Sequence, residues 1–120
     1  MVRLRQAVRE HAVAMGFSLV DQTKIVTAAS ELGRNTVLYG GGGVARIERI
    51  ASASRRGLRL TFEDSGPGIP DLAAAMREGF TTGNGLGLGL PGAKRLADEF
   101  RIDSQVGKGT RVSIVRWKPY

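Results

Sequence analysis

Cysteine is absent from the 120 residues. That excludes a disulfide framework, a thiolate zinc site and a cysteine nucleophile together, and makes a reducing compartment, the cytoplasm, the expected location. Long apolar runs are absent too. Nothing approaches the roughly 18 uncharged residues that a membrane span requires, and arginines at 3, 5 and 9 interrupt the N-terminus where a signal sequence would carry its hydrophobic core. No membrane partner is expected. Aromatic residues make up only 6%, without the interleaving of a nucleic-acid platform, and no recognition helix or RNP-like strand stands out, so nucleic acid is not the expected partner either. A chain of this length buries one core and not two, which gives a single domain over 1–120.

Two things are plentiful. Eighteen Lys plus Arg against eleven Asp plus Glu give a net charge of +7, which favours anionic partners such as nucleotides, nucleic acid or an acidic protein surface without choosing among them. The arginines are scattered, with no block longer than Arg55-Arg56, and a solvated basic surface accounts for them as well. The 17 glycines say more. They are about twice the usual share of roughly 7% and gather near 40–43 and 83–92, where something can approach the backbone closely.

Leu4, Ala7, Val8, His11, Ala14 and Met15 recur at helical spacing, predicting a first amphipathic helix that ends at Gly16. His11, the only histidine, lies on that stripe and reads as a half-buried packing residue, because no carboxylate or hydroxyl motif lies near it. Ser18 and Asp21 form a capping pair that opens a second helix of about 22 residues, with Ile25, Ala29, Leu32, Thr36 and Tyr39 on one face and Gly40 as its stop. Strands are predicted over 44–50 and 58–64, joined through a turn at 54–57. In the second strand Leu58, Leu60, Phe62 and Asp64 share one face, so an acid ends an apolar stripe. A short helix over 71–78, a glycine-broken loop to 89, a helix over 91–99, and strands over 101–104 and 110–117 around a turn at 106–109 complete the chain. The class is α+β, helices on one face of a mainly antiparallel sheet.

Three constellations could carry chemistry. Glu31 and Asn35 lie four apart on the second helix, hence on one face. The carboxylate could take a proton from a hydroxyl, and the amide oxygen is a hard ligand suited to magnesium; alone, the pair is equally an ordinary exposed one. Asp64-Ser65-Gly66-Pro67-Gly68-Ile69 follows a strand directly. A carboxylate against an apolar wall accepts a hydrogen bond from an exocyclic amine, with room for a flat ring beside the glycines; a capped turn is the plainer explanation. Gly83-Asn84-Gly85-Leu86-Gly87-Leu88-Gly89-Leu90 leads into a helix, offering amides and a helix terminus to phosphate oxygens. Residues 87–92 also match the dinucleotide fingerprint, but no strand precedes them and no strand-helix-strand unit surrounds them, so a Rossmann reading fails. A P-loop fails because Gly109, not Ser or Thr, follows Gly107-Lys108.

In this order, on these elements, the three constellations make the chain resemble the GHKL ATPase/kinase superfamily, whose fold is the Bergerat α/β sandwich. The resemblance implies ATP and Mg2+ as cofactors, Asn35 as the magnesium ligand and Glu31 as general base. It implies that Asp64 binds the adenine amino group, that Gly66, Gly68 and Ile69 belong to the nucleotide pocket, and that Gly83, Gly85, Leu86, Gly87, Leu88, Gly89 and Leu90 cover the phosphates. Thr110, in the turn Gly107-Lys108-Gly109-Thr110, matches the late threonine beside the adenine.

Ser30-Glu31-Leu32-Gly33-Arg34-Asn35, Glu63-Asp64-Ser65-Gly66-Pro67-Gly68-Ile69-Pro70-Asp71, Gly79-Phe80-Thr81-Thr82 and Gly89-Leu90-Pro91-Gly92-Ala93-Lys94-Arg95-Leu96 narrow the likeness to the RsbT-type switch kinases of bacterial stressosomes, over nearly the whole chain. That resemblance implies a serine/threonine protein kinase acting on STAS-domain antagonist and scaffold proteins and then activating a PP2C-type phosphatase; a homodimer is compatible with it. Two departures stand out. Anti-sigma factors usually continue after the asparagine with Ala and then His-Ala, where this chain has Thr36-Val37-Leu38-Tyr39. Relatives also begin with a short strand before the first helix, which this chain is expected to lack. The alternatives are an anti-sigma factor and a non-catalytic nucleotide-binding interaction module.

Overall fold

The computed structural model describes residues 2–76 and 89–118. Within them the chain runs through α1 (Val2–Ala14), α2 (Leu19–Leu38), β1 (Gly43–Ser52), β2 (Arg55–Asp64), α3 (Leu72–Ala75), α4 (Gly89–Arg95), β3 (Glu99–Gln105) and β4 (Gly109–Trp117). The strands form one antiparallel sheet in the order β1-β2-β4-β3. The α+β class is as expected.

Side-chain alternation builds the core. Leu58, Leu60 and Phe62 of β2 face Arg116, Ile114 and Val112 of β4 in register, and Phe100 and Ile102 of β3 continue the rows. Over this inner face pack Val8 and Ala12 of α1, Ile25, Ala28, Ala29 and Leu32 of α2, and Leu90 and Ala93 of α4. Each large side chain so buried contributes about 1.5–3 kcal/mol, and the helical period of three and four places the residues that supply it. Ala12, not Ala14, fills the α1 stripe, because Ala12 lies one turn beyond Val8 on the buried face and Ala14 falls on the solvent side, while Met15 and Phe17 after it still pack on the core.

The α2 start is as predicted: the Ser18 Oγ accepts from the Asp21 N–H at 3.1 Å. Tyr39 is the C-cap and half-exposed rather than a core position. Other boundaries moved for identifiable reasons. Arg55, Arg56 and Gly57 belong to β2 instead of a turn, since Gly57 pairs with Trp117, the Lys118 N–H donates to the Arg56 carbonyl at 2.7 Å, and the Arg55 guanidinium stacks 4.3 Å from the Trp117 ring centre. α4 begins at Gly89 and ends at Arg95, short of the predicted residue 99. The Asp98 N–H already donates to Val115 at 2.8 Å, and its carboxylate accepts the Trp117 N–H at 2.7 Å, which pulls Glu99 into the sheet ladder. α3 spans only Leu72–Ala75, and the rest of its predicted extent lies outside the described residues.

His11 is half-buried, and its Nδ1 accepts from the Arg49 Nε at 3.0 Å. It ties α1 to β1 and stands apart from the chemistry. No described helix is long and apolar enough to cross a membrane.

Candidate functional site

The inner face of the sheet changes character at one end. After Phe62 the next residue on that face is Asp64, and its register partners are Gly43 on β1 and Thr110 on β4, with Ser104 of β3 beyond Thr110. The row Gly43, Asp64, Thr110, Ser104 is thus polar or bare where the two rows before it, with Phe62 and Leu60, are apolar. Period-two alternation alone puts the acid and both hydroxyls on the face that the helices cover.

The row is tightly assembled. One Asp64 carboxylate oxygen accepts the Gly66 N–H at 3.0 Å, an Asx turn that bends the chain away from β2. The Ser104 Oγ lies 2.8 Å from the Thr110 Oγ1 and accepts the Ile69 N–H at 2.8 Å. The Gly107 N–H donates to the Pro67 carbonyl at 2.8 Å. The loop with Gly66, Gly68 and Ile69 is therefore clamped against the turn before Thr110. Glycine is required at two points by close approach: a Cβ on Gly40 would collide with the Asp64 carboxyl, and one on Gly109 with the Asp64 carbonyl. Gly66 lies against the Gly40 backbone, and Gly68 has φ +78° beside Gln105.

α2 brings in the second half. Gly40, just past its C-terminus, packs on Asp64, while Glu31, nine residues earlier and roughly 13 Å along the axis, accepts the Gly89 N–H at 3.3 Å through its Oε2. Asn35 lies between them. Its carbonyl receives the Tyr39 and Gly40 N–H groups, and its side-chain amide has no partner among the described residues. An unpaired amide oxygen near a carboxylate is a donor set suited to magnesium, which keeps most of its waters and takes few protein ligands. No cluster of three acidic or histidine ligands occurs among the described residues.

The residues singled out in the sequence thus fall into two joined groups: Glu31, Asn35 and Gly89 on the helical side, and Asp64, Gly66, Gly68, Ile69 and Thr110 at the sheet end. Leu90 is buried in the core, so only its backbone can face a ligand. Gly83, Gly85, Leu86, Gly87 and Leu88 lie outside the described residues. Sequence reasoning missed Ser104 and Gly40. The alternation of β3 marks Ser104 as facing inward with Ile102, and the glycine cluster marks Gly40, but neither signal reveals the partner.

A concavity of about 610 Å³ lies on the opposite sheet face, among Arg46, Arg59, Thr61, Arg101, Arg111 and Ser113. It shares no residue with the site, and three ion pairs lie on this face: Glu63 meets Arg46 and Arg111, and Asp103 meets Arg101, each at 3.4 Å.

Comparison with known proteins is consistent with this geometry. Residues 20–119 match the family described as histidine kinase-, DNA gyrase B- and HSP90-like ATPase. The serine/threonine-protein kinase RsbT of Bacillus subtilis (strain 168) is 49% identical over 117 residues, covering 98% of this chain and 88% of the relative. An anti-sigma F factor of Clostridium kluyveri is 33% identical over 101 residues, 79% of this chain and 70% of the relative. Among solved structures, the mycobacterial sensor histidine kinase MprB superposes with a TM-score of 0.60 at 22% identity, covering 82% of this chain and 74% of that one, a likeness of fold.

Proposed function

The chain belongs to the histidine kinase-, DNA gyrase B- and HSP90-like ATPase family, and from that premise we propose that it is an ATP-dependent serine/threonine protein kinase and partner switch acting on STAS-domain antagonist and scaffold proteins. The observation that carries the reading is α2: one helix holds Glu31 against Gly89 at one point and Gly40 against Asp64 at another. Its rise sets the two roughly 13 Å apart along the axis, which leaves room for a nucleotide between them. The 49% identity to a serine/threonine-protein kinase supports the chemistry.

In this reading Asp64 accepts the adenine amino group through the carboxylate oxygen that Gly66 leaves free. Thr110, held by Ser104, closes the purine edge, and Gly66, Gly68 and Ile69 give the ring its bed. Asn35 holds magnesium, which when bound neutralises charge on the phosphates. Glu31 orients an incoming Ser or Thr hydroxyl and accepts its proton as the γ-phosphoryl moves, so the protein supplies position and charge rather than covalent chemistry. The phosphorylated STAS protein then releases the kinase, which becomes available to a PP2C-type phosphatase.

The test is labelled-phosphate transfer from ATP to a STAS-domain protein encoded beside the kinase, in parent and Glu31→Ala chains. The parent transfers phosphate to Ser or Thr and the variant does not, while both bind ATP. Transfer by the variant at the parental rate removes Glu31 from its role. ATP binding without transfer by the parent favours the non-catalytic interaction module, and capture of a sigma factor favours the anti-sigma reading, to which the 33% relative points.

A further inference from the structure

One flank of α2 extends well beyond the stretch beside the nucleotide site. Val20, Lys24, Thr27, Glu31 and Asn35 recur at intervals of four, three, four and four, so they form a single stripe along the helix. The neighbouring faces are taken. Ile25, Ala28, Ala29 and Leu32 point into the core, and Gln22, on the far flank, accepts from Arg9 of α1 and donates to the Phe17 carbonyl. α4 runs antiparallel to α2 beneath the stripe, with the Gly89 N–H on Glu31 and the Leu96 carbonyl tied through Arg116 to Asp21. The described residues leave the N-terminal half of the stripe open: Val20 is 64% exposed, Lys24 is exposed and Thr27 half-buried.

Phosphoryl transfer dictates what must lie there. The attacking and leaving oxygens stand roughly in line through the phosphorus. In the kinase reading, on which this inference rests, the nucleotide extends from Asp64, beside Gly40, to Glu31, along the C-terminal half of α2. The attacking hydroxyl therefore enters from the other side of Glu31, over Thr27, Lys24 and Val20, and a folded acceptor cannot bring a hydroxyl to that point without covering them.

The charge on this surface has one sign. Lys24 lies seven residues before Glu31, about 10 Å along the axis, and has no ion pair among the described residues. The carboxylate three residues away, Asp21, is held by Arg116 at 2.7 Å. Lys94, exposed in the last turn of α4, is likewise without an ion pair among the described residues. We propose that Val20, Lys24 and Thr27 of α2, with Lys94 of α4, form the docking surface for the acceptor protein. The surface selects an acceptor that carries an acidic side chain about 10 Å from its target hydroxyl and an apolar one roughly 6 Å farther out, opposite Val20. Complementary charge fixes the register of the encounter, and so small a contact suits a partner that must leave once phosphorylated.

Steady-state transfer from ATP to the STAS-domain protein encoded beside the kinase, with that protein as the varied substrate, tests the surface. Lys24→Glu and Val20→Asp each raise KM for the protein by about tenfold or more, with kcat at saturation, KM for ATP and melting temperature close to the parent. Val20→Asp puts its acid in the first turn of α2, where a negative charge suits the helix. Arg59→Glu makes the same change of charge as Lys24→Glu on the outer face of the sheet, where Arg59 is exposed, and leaves every constant unchanged. When the acceptor's acidic residues near the target hydroxyl are replaced one at a time by Lys, one of them restores the parental KM to Lys24→Glu. Parental KM values in both α2 variants, an equal rise in Arg59→Glu, or no acceptor position that rescues Lys24→Glu would each overturn the docking surface while leaving the kinase reading in place. A parent chain that transfers no phosphate to the protein would remove the kinase reading, and the surface with it.

Discussion

β2 and β4 carry a polar cluster at each end of their shared inner face, about six residues and roughly 20 Å apart. At one end Arg116, opposite Leu58 in register, donates to the Leu96 carbonyl at 3.0 Å and to the Asp21 carboxylate at 2.7 Å. Asp21 in turn accepts the Ser18 hydroxyl at 3.0 Å. Both charged side chains are largely hidden, 16% and 13% exposed, and of the guanidinium only Nε lacks a partner. At the other end Asp64 uses one carboxylate oxygen on Gly66, and the amide of nearby Asn35 engages nothing among the described residues. The first cluster is closed on itself and staples α2, α4 and β4 together. The second is organised but keeps acceptors that reach solvent, available to the donors of a ligand. Perturbing the first should therefore move stability and leave ligand binding alone, and perturbing the second should show chiefly in nucleotide binding or phosphotransfer.

The largest effect is expected at the open end. Glu31→Ala should lower phosphotransfer by about 100-fold to 10,000-fold, the range of a lost general base, with ATP affinity and melting temperature close to the parent. Single-turnover transfer beside a thermal melt separates the two. Gly40→Ala pushes a methyl group into the Asp64 carboxyl. We expect ATP affinity to fall by about tenfold or more, since a displaced carboxylate loses a charge-assisted hydrogen bond worth roughly 1.5–3 kcal/mol; calorimetry reads it, and unchanged affinity would mean that Asp64 tolerates the shift.

At the closed end, Asp21→Asn should destabilise the fold by about 1–3 kcal/mol without altering ATP affinity. The hydrogen bond from Arg116 holds the Asp21 carboxyl below its usual value of 3.8, against the opposing effect of burial. A depressed carboxylate contributes its stability above the unfolded value and loses it as pH falls through the folded one. The gap between parent and variant in urea should therefore be full above pH 3.8 and close below it. The smallest change is Ser104→Ala, which orphans the Ile69 N–H. It should cost about 1 kcal/mol and weaken ATP binding a few-fold at most; a larger loss would make Ser104 a direct ligand contact.

The asymmetry between the clusters also explains what the sequence could convey. The open end was legible because its parts are local motifs: Glu31 and Asn35 one turn apart, Asp64 ending an apolar stripe, glycines at a strand exit. The closed end was not, since Asp21 and Arg116 are 95 residues apart, and Asp21 reads locally as nothing more than a capping residue. Ser104 escaped for a similar reason, its role residing in a β3–β4 register that only the folded sheet defines. The helix predicted over 91–99 ended early because tertiary hydrogen bonds to Asp98 outweighed a helical pattern, and the turn predicted at 54–57 shrank because Trp117 recruits Arg55 and Gly57 into the sheet.

The account turns on Asp64 as the acceptor for adenine at the open end, and calorimetry with magnesium tests that most directly, titrating ATP and GTP into the parent and into Asp64→Asn. The prediction is one ATP per chain, GTP weaker by at least about tenfold, and a loss of ATP affinity of about 10- to 100-fold in the variant. Equal affinity of the parent for ATP and GTP, or an Asp64→Asn chain that binds ATP as the parent does, would contradict it.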